Sequence, residues 1–174
     1  MMFKKALRFI VCTALLTTML TSATIYANNV YIIGYSSVRS GGISYVGTTR
    51  YGNQVGQAAN IWNSRRAGNS RAPMLVNMIN VTGPSQYGTV YVYDQALGTL
   101  APEGAWRQHE ILFNTSILNN LSNTSVLSTV AHELGHSIGL NDNTGNSQNI
   151  MWYLQNGRTS VGLDDITSYN YLYR

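Results

Sequence analysis

The stretch Ala131-His132-Glu133-Leu134-Gly135-His136-Ser137-Ile138-Gly139-Leu140-Asn141-Asp142 constrains this chain more than any other. From His132 onward it reads H-E-x-x-H-x-x-G-x-x-D. Residues four apart project from one face of a helix, so His132 and His136 can grip one metal ion. Glu133 is one step round the helix, within reach of a water on that metal without ligating it. Gly139 provides a residue that adopts left-handed backbone angles at no steric cost, so the chain can leave the helix there. The turn can return Asp142 as a third ligand. Three protein ligands and one open position make a catalytic zinc site, whereas a structural zinc is closed by four.

A helical His pair can also be surface decoration. Against that, the 174-residue chain has only three histidines, and two fall in this motif. The same ligand types serve iron oxygenases, but those lack a glutamate placed as base between the histidines, so zinc is the expected ion.

With Asn149-Ile150-Met151-Trp152-Tyr153 downstream, the segment resembles the metzincin clan of zinc proteases. The clan's third ligand is normally histidine; aspartate there is the snapalysin pattern. Leu163-Asp164-Asp165-Ile166, followed by Tyr171-Leu172-Tyr173, is more similar to the closing helix of matrixins. The resemblance covers about the last 50 residues by motif and the rest by element order. It implies an α+β single domain: a mixed twisted sheet with a backing helix, a zinc-site helix, a methionine turn and a C-terminal helix. It further implies that Met151 is an apolar floor under the His pair rather than a ligand. Tyr153 matches a tyrosine that in astacins and serralysins approaches the metal and stabilises the oxyanion. Coincidence is the rival reading, because the chain holds twelve tyrosines.

Lys4, Lys5 and Arg8 precede the apolar run Phe9 to Leu20, and Ala27 offers a small residue before a cut. Residues 1–27 therefore read as a secretory signal peptide, and 28–174 as one domain, with 28–140 above the cleft and 141–174 below it. The run is too short for a comfortable membrane span, so no stable anchor is expected. The formal charge of +4 loses three positive residues with the leader, leaving eight arginines against seven carboxylates. The basic pI is then no argument for nucleic acid. Cys12, the single cysteine, also leaves, so neither a disulfide nor a thiol latency switch is expected. A monomer in the extracellular space is the expectation.

Val30–Tyr35 is β-branched and aromatic and predicts a strand; residues 43–49 predict an irregular strand or loop. A helix is expected over 53–66, strands over 74–81, 89–93 and 108–114, and a loop around Gly98, Pro102 and Gly104. Asn123 or Thr124 can cap the zinc helix, and a last helix should begin near Leu163 or Asp164. Val90–Tyr93 is either the edge strand that pairs with an extended substrate or a central strand. His109 is either a strand side chain with an ordinary hydrogen bond or a further ligand. Calcium is possible but unsupported, since no EF-hand-type loop occurs.

The chemistry expected is hydrolysis of protein or peptide substrates by a zinc-activated water with Glu133 as general base. Asp142 adds one negative charge to the metal compared with a histidine, which should make the ion a weaker Lewis acid. The alternative is a catalytically inactive or narrow-substrate binding protein of the same fold at the cell surface. No substrate-binding residue can be assigned from sequence.

Overall fold

The computed structural model describes residues 29–174, so the signal peptide expected over 1–27 lies outside the described residues. Five strands and four helices build an α+β fold. In chain order these are β1 (Gly42–Thr48), α1 (Gly52–Asn63), β2 (Met74–Asn77), β3 (Thr89–Gln95), β4 (Gly104–Arg107), β5 (Glu110–Asn114), α2 (Thr115–Leu118), α3 (Asn123–Ser137) and α4 (Leu163–Leu172). A 3₁₀ turn, Ser64–Arg66, extends α1. The sheet order is β2-β1-β3-β5-β4. All neighbours are parallel except β4, which pairs antiparallel with β5.

Alternation explains one face of the sheet. Ile43, Tyr45, Val90, Val92, Ile111 and Phe113 are buried at every second position. They join a single hydrophobic core with Val55, Ala58, Ala59 and Trp62 of α1 and Val126, Val130, Leu134 and Ile138 of α3. The two helices are also pinned by polar contacts that satisfy buried groups. Trp62 Nε1 donates to the carbonyl of Ala131 at 2.8 Å. Tyr45 Oη bonds Ser137 Oγ at 2.8 Å. These two bonds fix the height of α3 over α1 and the sheet, and with it the height of His132 and His136. No helix among the described residues is long and apolar enough to cross a membrane.

Several local expectations change. Residues 30–35 are extended but do not join the sheet. Their backbone is satisfied by the segment that follows α3: Ile33 N donates to Gly139 O (2.9 Å) and Asn141 N to Tyr31 O (3.1 Å). Residues 42–48 form a strand, irregular at Gly47 with φ +104°, and flanked on both sides by parallel neighbours. That position also decides the two readings of Val90–Tyr93: β3 lies between β1 and β5 and is not an edge. The edge beside α3 is β4, which falls where a loop was expected. His109 lies in the two-residue turn between β4 and β5, its Nδ1 3.0 Å from Ser37 Oγ. The cap of α3 is Ser122, whose Oγ accepts from Ser125 N at 3.2 Å, one residue before the expected position.

Candidate metal centre

Helix α3 ends on a Schellman motif. Leu140 N donates to Gly135 O at 3.1 Å and Gly139 N to His136 O at 2.9 Å, with Gly139 at φ +95°. This is the pattern that needs a residue free to go left-handed, hence glycine. The cap also carries the site. The Leu140 carbonyl it presents meets His136 Nδ1 at 2.9 Å. The strap from residues 30–35 then holds Asn141, and the chain delivers Asp142 to the mouth of the helix.

His132, His136 and Asp142 converge, with one ligand atom of each lying within 4.8 Å of the others. Asp142 Oδ1 is 3.1 Å from His132 Nε2 and 3.6 Å from His136 Nε2. Donors about 2.0–2.1 Å from a tetrahedral zinc stand roughly 3.3–3.4 Å apart. Both Nδ1 atoms are turned outward to backbone carbonyls, His132 to Ile150 O at 3.0 Å and His136 to Leu140 O at 2.9 Å. Such bonds fix the tautomer that leaves Nε2 free for a metal. The donor set and its orientation therefore fit a single zinc ion.

Burial, together with the neighbouring His132, lowers the His136 pKa to about 4. For His132 burial also works downward, but the hydrogen bond it donates to Asp142, the charge of Glu133 and the Ile150 carbonyl outweigh it and raise its pKa. The same His132 bond lowers that of Asp142.

Glu133 is 6% exposed. Its pKa is pushed up to about 7, chiefly by burial; the charges of Asp142 and Glu103 add to this, while His132 and the Trp106 backbone N–H oppose it. Its Oε2 is buried with no hydrogen-bond partner. A buried, unsatisfied carboxylate oxygen is costly and calls for a functional account. Gly104 of β4 allows the approach: a β-carbon there would stand 2.8 Å from Glu133 Cγ and 2.9 Å from Oε1.

Met151, 2% exposed, lies against Gly135 of α3, within the core and behind the metal-binding face. Its turn is anchored from α4. Asp165 accepts from Ile150 N (2.7 Å), Met151 N (3.2 Å) and Gly162 N (2.9 Å). Asn149 Oδ1 accepts from Asp164 N and Asp165 N, while its Nδ2 donates to Asp164 Oδ2 at 3.1 Å. Because Met151 N shares its peptide with Ile150 O, which holds His132, Asp165 reaches the candidate site through one peptide, and Asp164 supports the turn through Asn149. Sequence reading took them only as favourable charges at a helix start. Their spacing from Ile150 holds no signal of the contact.

Tyr153 lines the same cleft but is 50% exposed. Its ring packs on Trp152 at 4.7 Å between centroids. The cleft measures about 760 Å³ and runs between β4 and the methionine turn, with His132, Glu133 and Asp142 in its wall. Trp106 of β4 also lines it, stacked on Tyr35 at 5.1 Å and facing the His136 ring at 6.2 Å. Sequence reading took Gly104 only as a loop residue and did not pick out Trp106. Among the described residues, His132, His136 and Asp142 are the one cluster of metal-binding side chains, and no calcium-type group of carboxylates accompanies it.

No protein-family model matches the chain, and no curated protein matches it. Among solved structures it is similar to the crystal structure of myroilysin, with 15% identity over 83% of this chain and 88% of that one, at a TM-score of 0.44. A likeness of that degree carries no functional argument, so function has to be read from the side chains.

Proposed function

We propose that this protein is an exported zinc-dependent endopeptidase. The observation that carries the reading is the convergence of His132, His136 and Asp142 beside a buried glutamate with a free carboxylate oxygen. A binding module has no use for that oxygen. Export rests on the leader-like residues 1–27, and a peptide substrate rests on the cleft.

His132 Nε2, His136 Nε2 and an Asp142 carboxylate oxygen would hold a zinc ion, which would supply Lewis acidity for activating water and a peptide carbonyl. Glu133, in the cleft wall, takes the proton of the attacking water on its carboxylate. A carboxyl whose pKa lies near 7 can both accept that proton and release it to the departing amine. Gly104 leaves the glutamate room beside β4, and the Trp106 backbone N–H favours its charged form. Met151 and Asp165 keep α3 and the Ile150 carbonyl in place, so the His132 ring does not turn.

The open side of β4 borders the cleft and pairs with no other strand among the described residues. An extended peptide laid along it would gain backbone hydrogen bonds without a sequence requirement. The substrate edge therefore belongs to Gly104–Arg107 rather than to Val90–Tyr93. Tyr153 also lines the cleft, and its proposed part is to hydrogen-bond a substrate carbonyl.

The test is digestion of a quenched-peptide pool by the purified protein, with zinc, after chelation, and after zinc is restored. Cutting that follows the metal supports the reading. A folded protein that binds one zinc and cuts nothing would shift it to a binding protein of the same fold.

A further inference from the structure

One carboxylate in the cleft has no part in the proposed hydrolysis. Glu103 sits just before β4, and its Oε2 accepts from Thr129 Oγ1 at 2.9 Å. Its Oε1 makes no hydrogen bond to any described residue, and no salt bridge among the described residues involves it. Thr129 is four residues before Glu133, one turn along the same face of α3. Glu103 therefore lies in the cleft about one helical turn from the general base, near the span of one or two extended substrate residues.

Its loop is fixed. Asn114, fully buried, accepts from Leu97 N (3.1 Å) and donates to Gly98 O (2.8 Å) and Pro102 O (3.1 Å). Asn114 N also donates to the carbonyl of Glu103 itself at 2.8 Å. The carboxylate is thus held by a rigid loop at one end and a helix hydroxyl at the other. The cleft lining is polar as well as apolar, with Ser128, Thr129 and Asn156 beside apolar residues such as Ile117. Neither arginine nor lysine lines this cleft, and the sequence has no lysine after Lys5. A preorganised carboxylate in a pocket without a cation of its own is built to receive one.

We propose that Glu103 is a specificity-determining residue that selects a substrate with an arginine or lysine side chain next to the scissile bond. This rests on the peptidase reading. The cation would share the carboxylate with Thr129, bonding Oε1 and the remaining lone pair of Oε2.

The experiment maps every cut made in a mixed peptide pool by mass spectrometry, for the parent, Glu103→Gln and Glu103→Lys. The parent should favour Arg or Lys over norleucine at one flanking position by about tenfold or more in kcat/KM. Glu103→Gln should level that ratio, and Glu103→Lys should turn it toward Asp or Glu. Reading a ratio within each variant removes any general loss of activity from the comparison. Cuts with no basic preference, or a basic preference unchanged in Glu103→Gln, overturn the proposal. If the zinc-loaded parent cuts nothing, the peptidase reading fails, and binding of matched arginine and norleucine peptides decides the role of Glu103. An arginine preference lost in Glu103→Gln then supports it, and equal affinity overturns it.

Discussion

Gly135 and Met151 touch where a side chain could not fit. A β-carbon built on Gly135 would overlap Met151 Sδ and stand 3.1 Å from Trp62 Cζ2. Glycine inside a helix ordinarily costs about 1 kcal/mol relative to alanine. Here the sign should reverse, because Met151 is closed in by the core and Trp62 is pinned to Ala131. Gly135→Ala is expected to destabilise the protein by about 1–3 kcal/mol through overpacking. Urea denaturation of the variant against the parent reads this directly, and a stabilised variant would remove the close contact from the account.

Asp165 is the anchor of the methionine turn. Asp165→Ala leaves the Ile150, Met151 and Gly162 N–H groups without their acceptor. At about 1–3 kcal/mol for each orphaned buried donor, a loss of roughly 3 kcal/mol or more follows. Since Ile150 O orients His132, zinc affinity should also fall by about 10- to 100-fold. Competition with a coloured chelator measures that affinity. Unchanged zinc binding in the variant would show that the turn holds its shape without the aspartate.

The approach of Gly104 to Glu133 makes a separate kinetic prediction. Gly104→Ala pushes on the carboxylate without touching a metal ligand. Zinc content should be kept, while kcat falls by about 10- to 100-fold as the glutamate is displaced. Parallel metal analysis and steady-state kinetics test it; full activity would mean that the glutamate tolerates the shift.

Zinc should stabilise the protein more as pH rises. In the metal-free protein His132 has a raised pKa, so its contribution is present below its unfolded value near 6.5 and is lost as pH rises through the folded value. Asp142 has a lowered pKa, so its contribution is present above about 3.8 and is lost as pH falls through its folded value. The pair thus supports the metal-free protein in mildly acidic solution. Zinc requires a neutral His132 and displaces its proton. Thermal unfolding with and without chelator should show a gap in Tm that widens from pH 5.5 to 7.5. A gap that is constant or narrows would contradict this ligand assignment.

Helix α3 was legible because its information is local: His132, His136 and Gly139 follow from helical spacing and one cap. Helix α1 and the start of α4 were legible on the same grounds. Strand order was not. Residues 30–35 have a strand's composition, yet their hydrogen bonds go to the turn after α3. Gly104-Ala105-Trp106-Arg107 looks like loop, yet it forms the cleft edge, and nothing in its own pattern names β5 as its partner. The buried alternation of β3 fits a central strand, but pairing on both sides is a long-range fact. The links from Asp165 to Ile150 and from Glu103 to Thr129 likewise join residues 15 and 26 positions apart, beyond the reach of local periodicity.

The most direct test of the central claim is the kcat/KM of one cleaved peptide for the parent and for Glu133→Gln, each with measured zinc content. Glu133→Gln should retain one zinc per chain and its fold while losing at least about 10²- to 10⁴-fold in activity. A zinc-loaded Glu133→Gln that cuts as fast as the parent would contradict the assignment of Glu133 as the base and, with it, the mechanism.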